Sequence, residues 1–345
     1  MRISVESLKD HVGAVLESLG VPAADALTVA TCLVAADVDG MGTHGVGRLP
    51  FYCRRISQGL IDPRPRLEVL SRRAAIALLD AGNALGPVAG LRAIEIASEM
   101  AAAAGTGACA VRNSNHLGML SWFVEGAANR GLIGLAFSNT PPAMAPPGAR
   151  KPLLGTNPLA AAFPTTARPV VIDMATSLVA RGRIRKAQAA GQPIPEGWAS
   201  GPDGLPTTDP EQAMAGSLEP MGGAKGFALA LVVEALAGVL AGSAIGPGVT
   251  GTFADSDRAS NVGHLFLVLD PGSFGAGFGD RMAALANAIR EAEPAAGGAP
   301  VRAPGDRRYA ERETREREGI ELEDSLALEL DQLAAAAGSL SRLVP

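Results

Sequence analysis

The sequence predicts a mixed α/β fold, with helices at both ends of the chain and α/β structure between them. Residues 4–19 carry apolar side chains at helical spacing and stop at Gly20, which predicts an N-terminal helix. In the middle of the chain, short apolar runs of strand length, such as residues 75–80, alternate with helical stretches such as residues 86–104. The spacing of leucines predicts a last helix over residues 324–336.

The composition limits the classes of protein to which the chain can belong. Its 345 residues are 47% hydrophobic and 19% charged, which is enough apolar sequence for a large core. The net charge of -5 gives no indication of nucleic acid or an anionic membrane as a partner, and no uncharged apolar run reaches membrane-spanning length. The cysteines, Cys32, Cys53 and Cys109, lack the spacing of metal ligands. Because their number is odd and no signal peptide is recognised, we expect no disulfide framework and a protein of the reducing cytoplasm.

Polar residues follow an apolar run near the middle of the chain. Residues 107–111 are predicted to form a buried strand and residues 119–130 a helix. The link between them includes His116, at the position where α/β units present side chains to a ligand. Histidine titrates close to neutral pH, so His116 is a candidate for proton transfer at a carbonyl or an alcohol. The alternative is that neighbouring Ser and Asn side chains cap the helix and His116 is partly buried without a chemical role.

A glycine-rich stretch, residues 41–48, leads into a helix predicted over residues 49–57. Thr43 is the expected N-cap of that helix, which would place His44 and Arg48 one turn apart on the same face. The planar guanidinium of Arg48 matches a carboxylate, and His44 offers a proton beside it, a pairing that suits a 2-oxo or 2-hydroxy acid. The alternative is a solvated arginine and a histidine at a helix start.

Other segments have less specific patterns. Asp173 interrupts an apolar run, residues 170–176, so it is either a structural hydrogen-bond centre or a group that tunes catalysis. Residues 220–226 place glycines and Lys225 before a long apolar helix, where backbone N–H groups and the lysine charge could bind phosphate. Residues 306–318 are dense in charge and are expected to form a solvated helix face.

Taken together, the chain resembles the type-2 malate/L-lactate dehydrogenase family over nearly its whole length. The motifs that carry this resemblance occur in the family's order, and they are Thr43-His-Gly-Val-Gly-Arg48, Asn113-Ser-Asn-His-Leu-Gly118, Leu154-Gly-Thr-Asn-Pro158, Ile172-Asp-Met-Ala-Thr-Ser177 and Gly222-Gly-Ala-Lys-Gly226. Each motif is weak alone, but five in order are specific. The family also includes ureidoglycolate and sulfolactate dehydrogenases, diketogulonate reductase and the Δ1-piperideine-2-carboxylate reductases.

The resemblance implies a particular domain organisation. It implies an α/β domain that binds NAD or NADP without a Rossmann fold, expected here over residues 71–300. It also implies a discontinuous all-helical domain formed by both chain ends, expected from residues 1–70 and the C-terminal segment 301–345. Members of the family pair as homodimers, with substrate in the cleft between the domains.

The resemblance also implies roles for particular residues. His116, His44 and Asp173 are expected to be catalytic, with His116 favoured as the proton donor and His44 as its orienting partner. Substrate binding is expected from Arg48, which would hold the carboxylate, together with Thr43 and Asn115. The residues expected at the nicotinamide cofactor are Asp173, Met174, Ala175, Thr176, Lys225, Gly226, Gly155, Thr156, Asn157, Pro304, Gly305 and Asp306.

The leading hypothesis is therefore hydride transfer between NAD(P)H and C2 of a small 2-oxo or 2-hydroxy acid, of the malate, lactate, sulfolactate or ureidoglycolate type. One alternative is an NAD(P)H-dependent reductase of cyclic 2-imino acids, and another is a dimeric binding protein without catalysis. No metal is expected, because neither His44 nor His116 has other ligand-type residues at suitable spacing. Discrimination between NAD and NADP depends on a group at the ribose 2′ position, for which Arg150, Arg181 and Arg183 are candidates.

Overall fold

A computed structural model describes residues 1–251 and 257–344. None of the helices in this part of the chain is long and apolar enough to cross a membrane. The helices are α1 (Val5–Ser18), α2 (Ala23–Val38), α3 (Leu49–Ser57), α4 (Gly86–Ala104), α5 (Leu120–Ala128), α6 (Arg181–Ala189), α7 (Pro210–Ala215), α8 (Ala224–Val233), α9 (Phe278–Arg290), α10 (Asp306–Glu318) and α11 (Asp324–Ala336).

The strands are β1 (Arg2–Ile3), β2 (Glu68–Arg72), β3 (Ile76–Asp80), β4 (Thr106–Ser114), β5 (Ile133–Ser138), β6 (Leu159–Phe163), β7 (Val170–Met174), β8 (Ala199–Ser200), β9 (Pro206–Thr207), β10 (Ser217–Leu218), β11 (Val262–Leu269) and β12 (Ile320–Glu321). The central sheet has the strand order β2-β3-β4-β11-β5-β6-β7, in which β3 and β4 run parallel and the other neighbours run antiparallel. Two small sheets pair β1 with β12 and join β10, β8 and β9.

The sheet core forms where α4 covers strands β3, β4 and β11 and α5 covers strands β5, β6 and β7. The buried side chains of this core include Leu79, Ile94, Val111, Phe123 and Phe266. Close contact between α4 and β4 depends on Gly107, because a Cβ at that position would lie 2.1 Å from the carbonyl oxygen of Ala97. Helix α4 ends at Gly105, whose φ of 78° suits glycine and turns the chain directly into β4.

A second hydrophobic cluster, the helical cluster, contains residues from both ends of the chain. Buried side chains of α1, α2, α3 and α11 meet in it, among them Leu8, Leu16, Leu33, Leu49 and Leu330. The pairing of β1 with β12 joins the same two ends. The predicted α/β class is confirmed, whereas the division of the chain at residues 70 and 300 stays a prediction.

Several elements differ from the sequence-based expectations. The strand expected over residues 107–111 continues to Ser114, because Val262 of the neighbouring strand β11 pairs with that residue. Strands β2 and β6 were not predicted: the residues of β2 are all exposed, and β6 consists largely of alanine, which has low intrinsic strand propensity. Both strands are held by their neighbours in the sheet.

The charged segment 306–318 is a helix with a solvated face, as expected, which includes Arg307, Glu313 and Arg317, but its opposite face is not solvated. Arg308 and Arg312 of α10 are directed inward onto two carboxylates, Asp39 at the end of α2 and Glu125 of α5. Arg312 donates two hydrogen bonds to Asp39, of 2.7 and 2.9 Å, and two to Glu125, of 3.0 and 2.9 Å. These four side chains, the buried ionic network, connect α10 with α2 and α5.

Asp39→Asn is expected to destabilise the protein by roughly 3–5 kcal/mol, because it leaves the buried charges of Arg308 and Arg312 with only one counter-ion. Urea unfolding monitored by circular dichroism measures this change. Glu313→Gln is the matched control, since Glu313 pairs with Arg168 on the exposed side of the same helix and its loss should cost about 0–1 kcal/mol. Equal effects of the two substitutions would contradict a stabilising role for the buried ionic network.

Candidate active site

One large cleft, with a volume of about 1050 Å³, contains the residues to which the sequence analysis assigned chemistry. Its walls are formed by the loop before α3, the link between β4 and α5, the ends of β5 and β7, and the first turn of α6. The predicted site residues among its lining are Thr43, His44, Arg48, His116, Thr156, Asp173, Met174 and Ala175. Segments far apart in sequence therefore meet in one place.

The loop that carries His44 and Arg48 has a different local structure from the one expected. It consists of two short 3₁₀ turns, Gly42–His44 and Val46–Arg48, and α3 begins only at Leu49. Thr43 therefore does not cap α3, and its hydroxyl lies 3.0 Å from Nδ1 of His44 instead. The expectation that Thr43 is an N-cap was wrong, because the 3₁₀ turns hold the chain apart from the helix start.

Asp37, near the end of α2, fixes this loop. Its carboxylate accepts a 2.7 Å hydrogen bond from the N–H of Val46 and lies against Gly45, where a Cβ would come within 1.9 Å of it. Only glycine fits at position 45 for that reason. Burial raises the pKa of Asp37 to about 7, although the Val46 hydrogen bond and Arg315 act in the opposite direction.

Asp37→Asn is expected to change how stability depends on pH. The folded protein keeps the Asp37 proton between the ordinary pKa of 3.8 and about 7, whereas the unfolded chain loses it, so wild-type stability falls as pH rises through this range. Asn does not titrate and retains an oxygen for the Val46 N–H. The melting temperature of the variant relative to wild type should therefore be higher at a pH of about 7.5 than at about 5. A difference that does not depend on pH would contradict this result.

His44 and His116 stack against each other in the cleft, with ring centroids 5.8 Å apart and an interplanar angle of 15°. Burial, followed by the charge of Arg48, lowers the pKa of His44 to about 4. Burial also lowers the pKa of His116 well below its usual range, and Arg48 and His44 add to this effect. Both rings are consequently neutral at pH 7 when the cleft holds no anion.

Tyr52 is a site residue that the sequence analysis missed. It is fully buried in α3, and its hydroxyl lies 2.8 Å from Nδ1 of His116 and 3.4 Å from the carbonyl oxygen of His116. The hydroxyl can donate to Nδ1 of a neutral ring, or accept from Nδ1–H of a protonated ring and donate to the carbonyl. The sequence spacing could have indicated this residue, because Tyr52 follows Arg48 by four positions, about one helical turn.

Arg48 directly precedes α3, and the loop that carries it holds its side chain in place. Its Nε donates a 2.7 Å hydrogen bond to the carbonyl oxygen of Thr43, which fixes the plane of the guanidinium group. The side chain is partly buried, and burial lowers its pKa without removing its charge at neutral pH. A carboxylate in the cleft can therefore pair with an oriented cation.

Asp173 lies at the end of β7, beside the start of α5. Its carboxylate accepts a 2.8 Å hydrogen bond from the backbone N–H of Ser121, in the first turn of α5. Burial raises the pKa of Asp173, and the hydrogen bonds from Ser121 oppose that shift. Asp173 therefore fits both interpretations. It accepts a hydrogen bond at the start of α5, as a structural residue would, and it is part of the cleft wall, as a residue that tunes catalysis would be.

The first two turns of α6 bring three more arginines to the cleft, namely Arg181, Arg183 and Arg185. Arg181 donates a 2.8 Å hydrogen bond to the carbonyl oxygen of Met214. Gly182 lies against the His44 loop, since a Cβ there would come within 3.1 Å of the Thr43 methyl group. Helix α6 begins without a side-chain cap at its N-cap residue, Ala180, which is also part of the cleft lining.

The structure does not bring every predicted residue to the cleft wall. Asn115 is buried and donates hydrogen bonds to Asn83 and the carbonyl of Ala84 instead, because the strand end directs its side chain away from His116. Asn157 is likewise buried and donates to Glu234. The other predicted residues that are not part of the lining are Gly155, Thr176, Lys225, Gly226, Pro304, Gly305 and Asp306.

The positions of these residues have local explanations. Thr176 donates to the carbonyl oxygen of Thr156, which supports a residue that does line the cleft. Lys225 is exposed in the first turn of α8, and Gly226 lies against the backbone of Met221. Asp306 begins α10 and pairs with Arg290 at 2.8 Å. Cofactor binding by these residues stays a prediction.

Comparison with known proteins identifies the family. The family model for malate/L-lactate dehydrogenase matches residues 3–331. The chain is 42% identical to a (2R)-3-sulfolactate dehydrogenase (NADP(+)) of Chromohalobacter salexigens, over 98% of each protein. It is 36% identical to a Delta(1)-pyrroline-2-carboxylate/Delta(1)-piperideine-2-carboxylate reductase of Pseudomonas putida, over 93% of each.

Comparison with a solved structure supports the same family. The sulfolactate dehydrogenase of Methanocaldococcus jannaschii superposes with a TM-score of 0.91 at 36% sequence identity, covering 98% of both chains. Sequence and structure thus agree along almost the full length, and the motifs of the cleft lie within the matched region. The chain belongs to the malate/L-lactate dehydrogenase family, and it is an oxidoreductase.

Proposed function

We propose that the protein transfers a hydride between NAD(P)H and C2 of a small 2-oxo or 2-hydroxy acid. The observation that carries this proposal is the meeting of Arg48, His44 and His116 in one cleft. A carboxylate-binding cation beside neutral, stacked histidines is the arrangement needed to orient a 2-oxo acid and to move a proton at its C2 oxygen. The similarity to hydroxy-acid dehydrogenases supports the same reaction.

The cleft suits a nicotinamide dinucleotide in size and in chemistry. Its volume of about 1050 Å³ is at the upper end of the range of roughly 300–1,000 Å³ for ligand pockets, which leaves room for a cofactor and a small acid together. Arginine side chains and the uncapped start of α6 provide donors for phosphate oxygens. When bound, the nicotinamide supplies or accepts the hydride. Met174, Ala175 and Thr156 are the wall residues that we assign to holding the cofactor.

Arg48 is assigned to the substrate carboxylate. The hydrogen bond from its Nε to Thr43 orients the guanidinium before substrate binds, which reduces the entropy lost on binding. Thr43 then contributes by positioning Arg48 and His44, through its carbonyl and hydroxyl groups respectively. The backbone of the loop, held by Asp37, supports all three residues.

His116 is assigned as the proton donor in reduction and the acceptor in oxidation. A bound carboxylate offsets the charge of Arg48, which is one cause of the lowered histidine pKa, so substrate binding favours the protonated ring. Tyr52 holds Nδ1 in either charge state, which leaves Nε2 to exchange the proton with the C2 oxygen. His44, stacked on His116, is assigned to orienting that oxygen.

The second candidate is reduction of cyclic 2-imino acids. The specific observation in its favour is the 36% identity to the Pseudomonas putida reductase, whose name gives such substrates. The same residues would serve it, with Arg48 on the carboxylate and a ring nitrogen in place of the C2 oxygen. The third hypothesis, a dimeric binding protein without catalysis, is not favoured by the comparisons, which support an oxidoreductase.

The experiment is a panel of 2-oxo acids and cyclic 2-imino acids, each assayed with NADH and with NADPH by loss of nicotinamide absorbance. We expect turnover of one or more 2-oxo acids. Turnover confined to cyclic imines would replace the leading function by the second one. Binding of NADH or NADPH, seen by fluorescence titration, without any turnover would contradict both enzymatic functions.

We also propose a homodimer in the cytoplasm, with the cofactor-binding α/β domain over residues 71–300 and both chain ends in a helical domain. The three cysteines are free and buried, which is consistent with a reducing compartment. Light scattering coupled to size-exclusion chromatography tests the assembly, and a monomeric mass would contradict it.

A further inference from the structure

We propose that Glu234 is a positioning residue for the nicotinamide cofactor. Its carboxylate holds Asn157, and Asn157 in turn fixes Thr140 and Thr156 in the cleft wall. Neither Glu234 nor Asn157 is part of the cleft lining, so both would act on the cofactor through the two threonines. This inference rests on the proposed function, because it takes the cleft to be the place where NADH or NADPH binds.

The side chain of Glu234 joins three separate segments of the chain. It is only 3% exposed, and its Oε2 accepts a 2.7 Å hydrogen bond from Nδ2 of Asn157. Its Oε1 accepts a 2.7 Å hydrogen bond from the N–H of Gly246 and a 3.4 Å hydrogen bond from Nδ2 of Asn139. All three donors are neutral groups. A buried carboxylate costs free energy unless its hydrogen bonds are complete, and a complete buried network makes the structure around it rigid.

Asn157 links Glu234 to the cleft. Its backbone φ of 30° lies in the left-handed region, which residues with a Cβ rarely adopt. Its Nδ2 donates to Glu234 and also to the carbonyl oxygen of Ala230, while its Oδ1 accepts a 3.1 Å hydrogen bond from the N–H of Thr140. Both ends of the amide group are therefore fixed, and these contacts hold the strained backbone in place.

The two threonines beside Asn157 belong to the cleft wall. Thr140 and Thr156 both line the cleft, and their hydroxyl oxygens lie 3.5 Å apart. The Thr140 hydroxyl also accepts a 3.3 Å hydrogen bond from the N–H of Asn157. A Cβ on Gly155 would lie 2.1 Å from the same hydroxyl oxygen, so the two segments are tightly packed. A shift of Asn157 would consequently displace both hydroxyl groups.

The helix changes its geometry at Glu234. Helix α8 ends at Val233, and a π-helical segment, Glu234–Val239, follows it. Turns of this kind are rare and are frequent at functional sites. Gly238 of this segment lies against Asn139, because a Cβ there would come within 2.8 Å of Nδ2. The π-helical segment thus packs directly against the end of β5 that reaches the cleft.

The alternative is that Glu234 only stabilises the fold. In that case its substitution would lower the melting temperature and leave the cofactor affinity of the folded protein unchanged. The direction of its contacts favours positioning, because Asn139 lines the cleft and Asn157 contacts two residues that line it. The dissociation constant of the cofactor separates the two roles.

The test compares wild type with Glu234→Gln by fluorescence titration with NADH and with NADPH, well below both melting temperatures. The introduced amide cannot accept hydrogen bonds from Asn157 and Gly246 on both sides. We expect the dissociation constant to rise on the order of 10-fold, as for loss of a hydrogen bond to a charged group. The kcat at saturating cofactor should stay within about threefold, because the proton donor is untouched.

Asp331→Asn is the matched control for Glu234→Gln. Asp331 is also a buried carboxylate, and it accepts hydrogen bonds of 2.7 and 2.9 Å from the backbone N–H groups of Leu343 and Val344, outside the cleft wall. Its substitution should lower the melting temperature and leave the dissociation constant of the cofactor unchanged. A rise in both variants alike would mean a general loss of stability and would contradict a positioning role.

Asn157→Gly tests the route from Glu234 to the cleft. Glycine adopts a positive φ without strain but lacks the side chain that Glu234 holds. The dissociation constant should rise about as much as in Glu234→Gln, and the two effects should not add in the double variant, because both remove the same link. Additive effects would show that Glu234 does not act through Asn157.

The outcomes separate this inference from the proposed function. If wild type binds NADH or NADPH and both single variants bind it equally well, the inference is wrong while the proposed function stands. If Glu234→Gln does not fold, Asn157→Gly decides: an unchanged dissociation constant overturns the inference and a raised one supports it. If wild type binds neither cofactor, or binds one and reduces no 2-oxo acid, the proposed function itself fails.

Discussion

Replacing His116 by Asn is expected to lower kcat on the best 2-oxo acid by ~10²–10⁴-fold, the usual contribution of a positioned general acid. His116 faces the cleft, its Nδ1 is held by Tyr52, and its ring stacks on His44, so an amide of similar size preserves the packing and loses the proton. The dissociation constant of the nicotinamide cofactor should change little. Steady-state kinetics and fluorescence titration on the same preparation measure the two quantities.

His44→Asn provides the comparison for His116→Asn. As an orienting residue, His44 should contribute less to kcat than His116, and its loss should raise KM more. A larger loss of kcat in His44→Asn than in His116→Asn would reverse the two assignments. Near-normal kcat in both variants would place the proton transfer elsewhere and contradict the proposed active site.

The second large effect is expected for Arg48→Lys, which keeps the positive charge and loses the planar fork. Without a bidentate contact to the carboxylate and without the hydrogen bond from Nε to Thr43, KM should rise and kcat/KM should fall on the order of 10²-fold. Arg54→Lys is the matched control, because Arg54 is exposed on α3, the helix that directly follows Arg48.

The melting temperature shows whether Arg48→Lys removes a contact with the substrate or destabilises the fold. Melting temperatures of Arg48→Lys and Arg54→Lys should both stay close to that of wild type, since Arg48 is only partly buried. A normal kcat/KM in Arg48→Lys would mean that the carboxylate is bound by another group, and Arg185 would then be the first alternative.

Local patterns predicted much of the fold and of the candidate site. Apolar periodicity and glycine stops gave the bounds of α4 and α11, which agree with the structure. Motif spacing placed His44 and Arg48 close together and His116 after a strand end, but it predicted one helical turn where the structure has two 3₁₀ turns. Their meeting in one cleft followed from the family resemblance, because periodicity carries no information on which segments become neighbours.

The parts that were missed depend on contacts distant in sequence. Arg308 and Arg312 of α10 are directed inward because Asp39 and Glu125 face them. These carboxylates lie 273 and 187 positions before Arg312, respectively. Tyr52 becomes a site residue only when His116, 64 positions later, is brought to its hydroxyl. Asn115 adjoins His116 in sequence, but alternation along the backbone sends its side chain into the core.

The central claim is that this cleft moves a hydride to C2 of a 2-oxo acid, and isotope transfer tests it most directly. Wild type is incubated with the best 2-oxo acid and with NADH or NADPH carrying deuterium on both C4 positions, and the product is analysed by NMR and mass spectrometry. We expect one deuterium at C2 of the 2-hydroxy acid, formed at a rate that falls with His116→Asn and Arg48→Lys. A reduced product without deuterium at C2, or deuterium transfer unaffected by both substitutions, would contradict it.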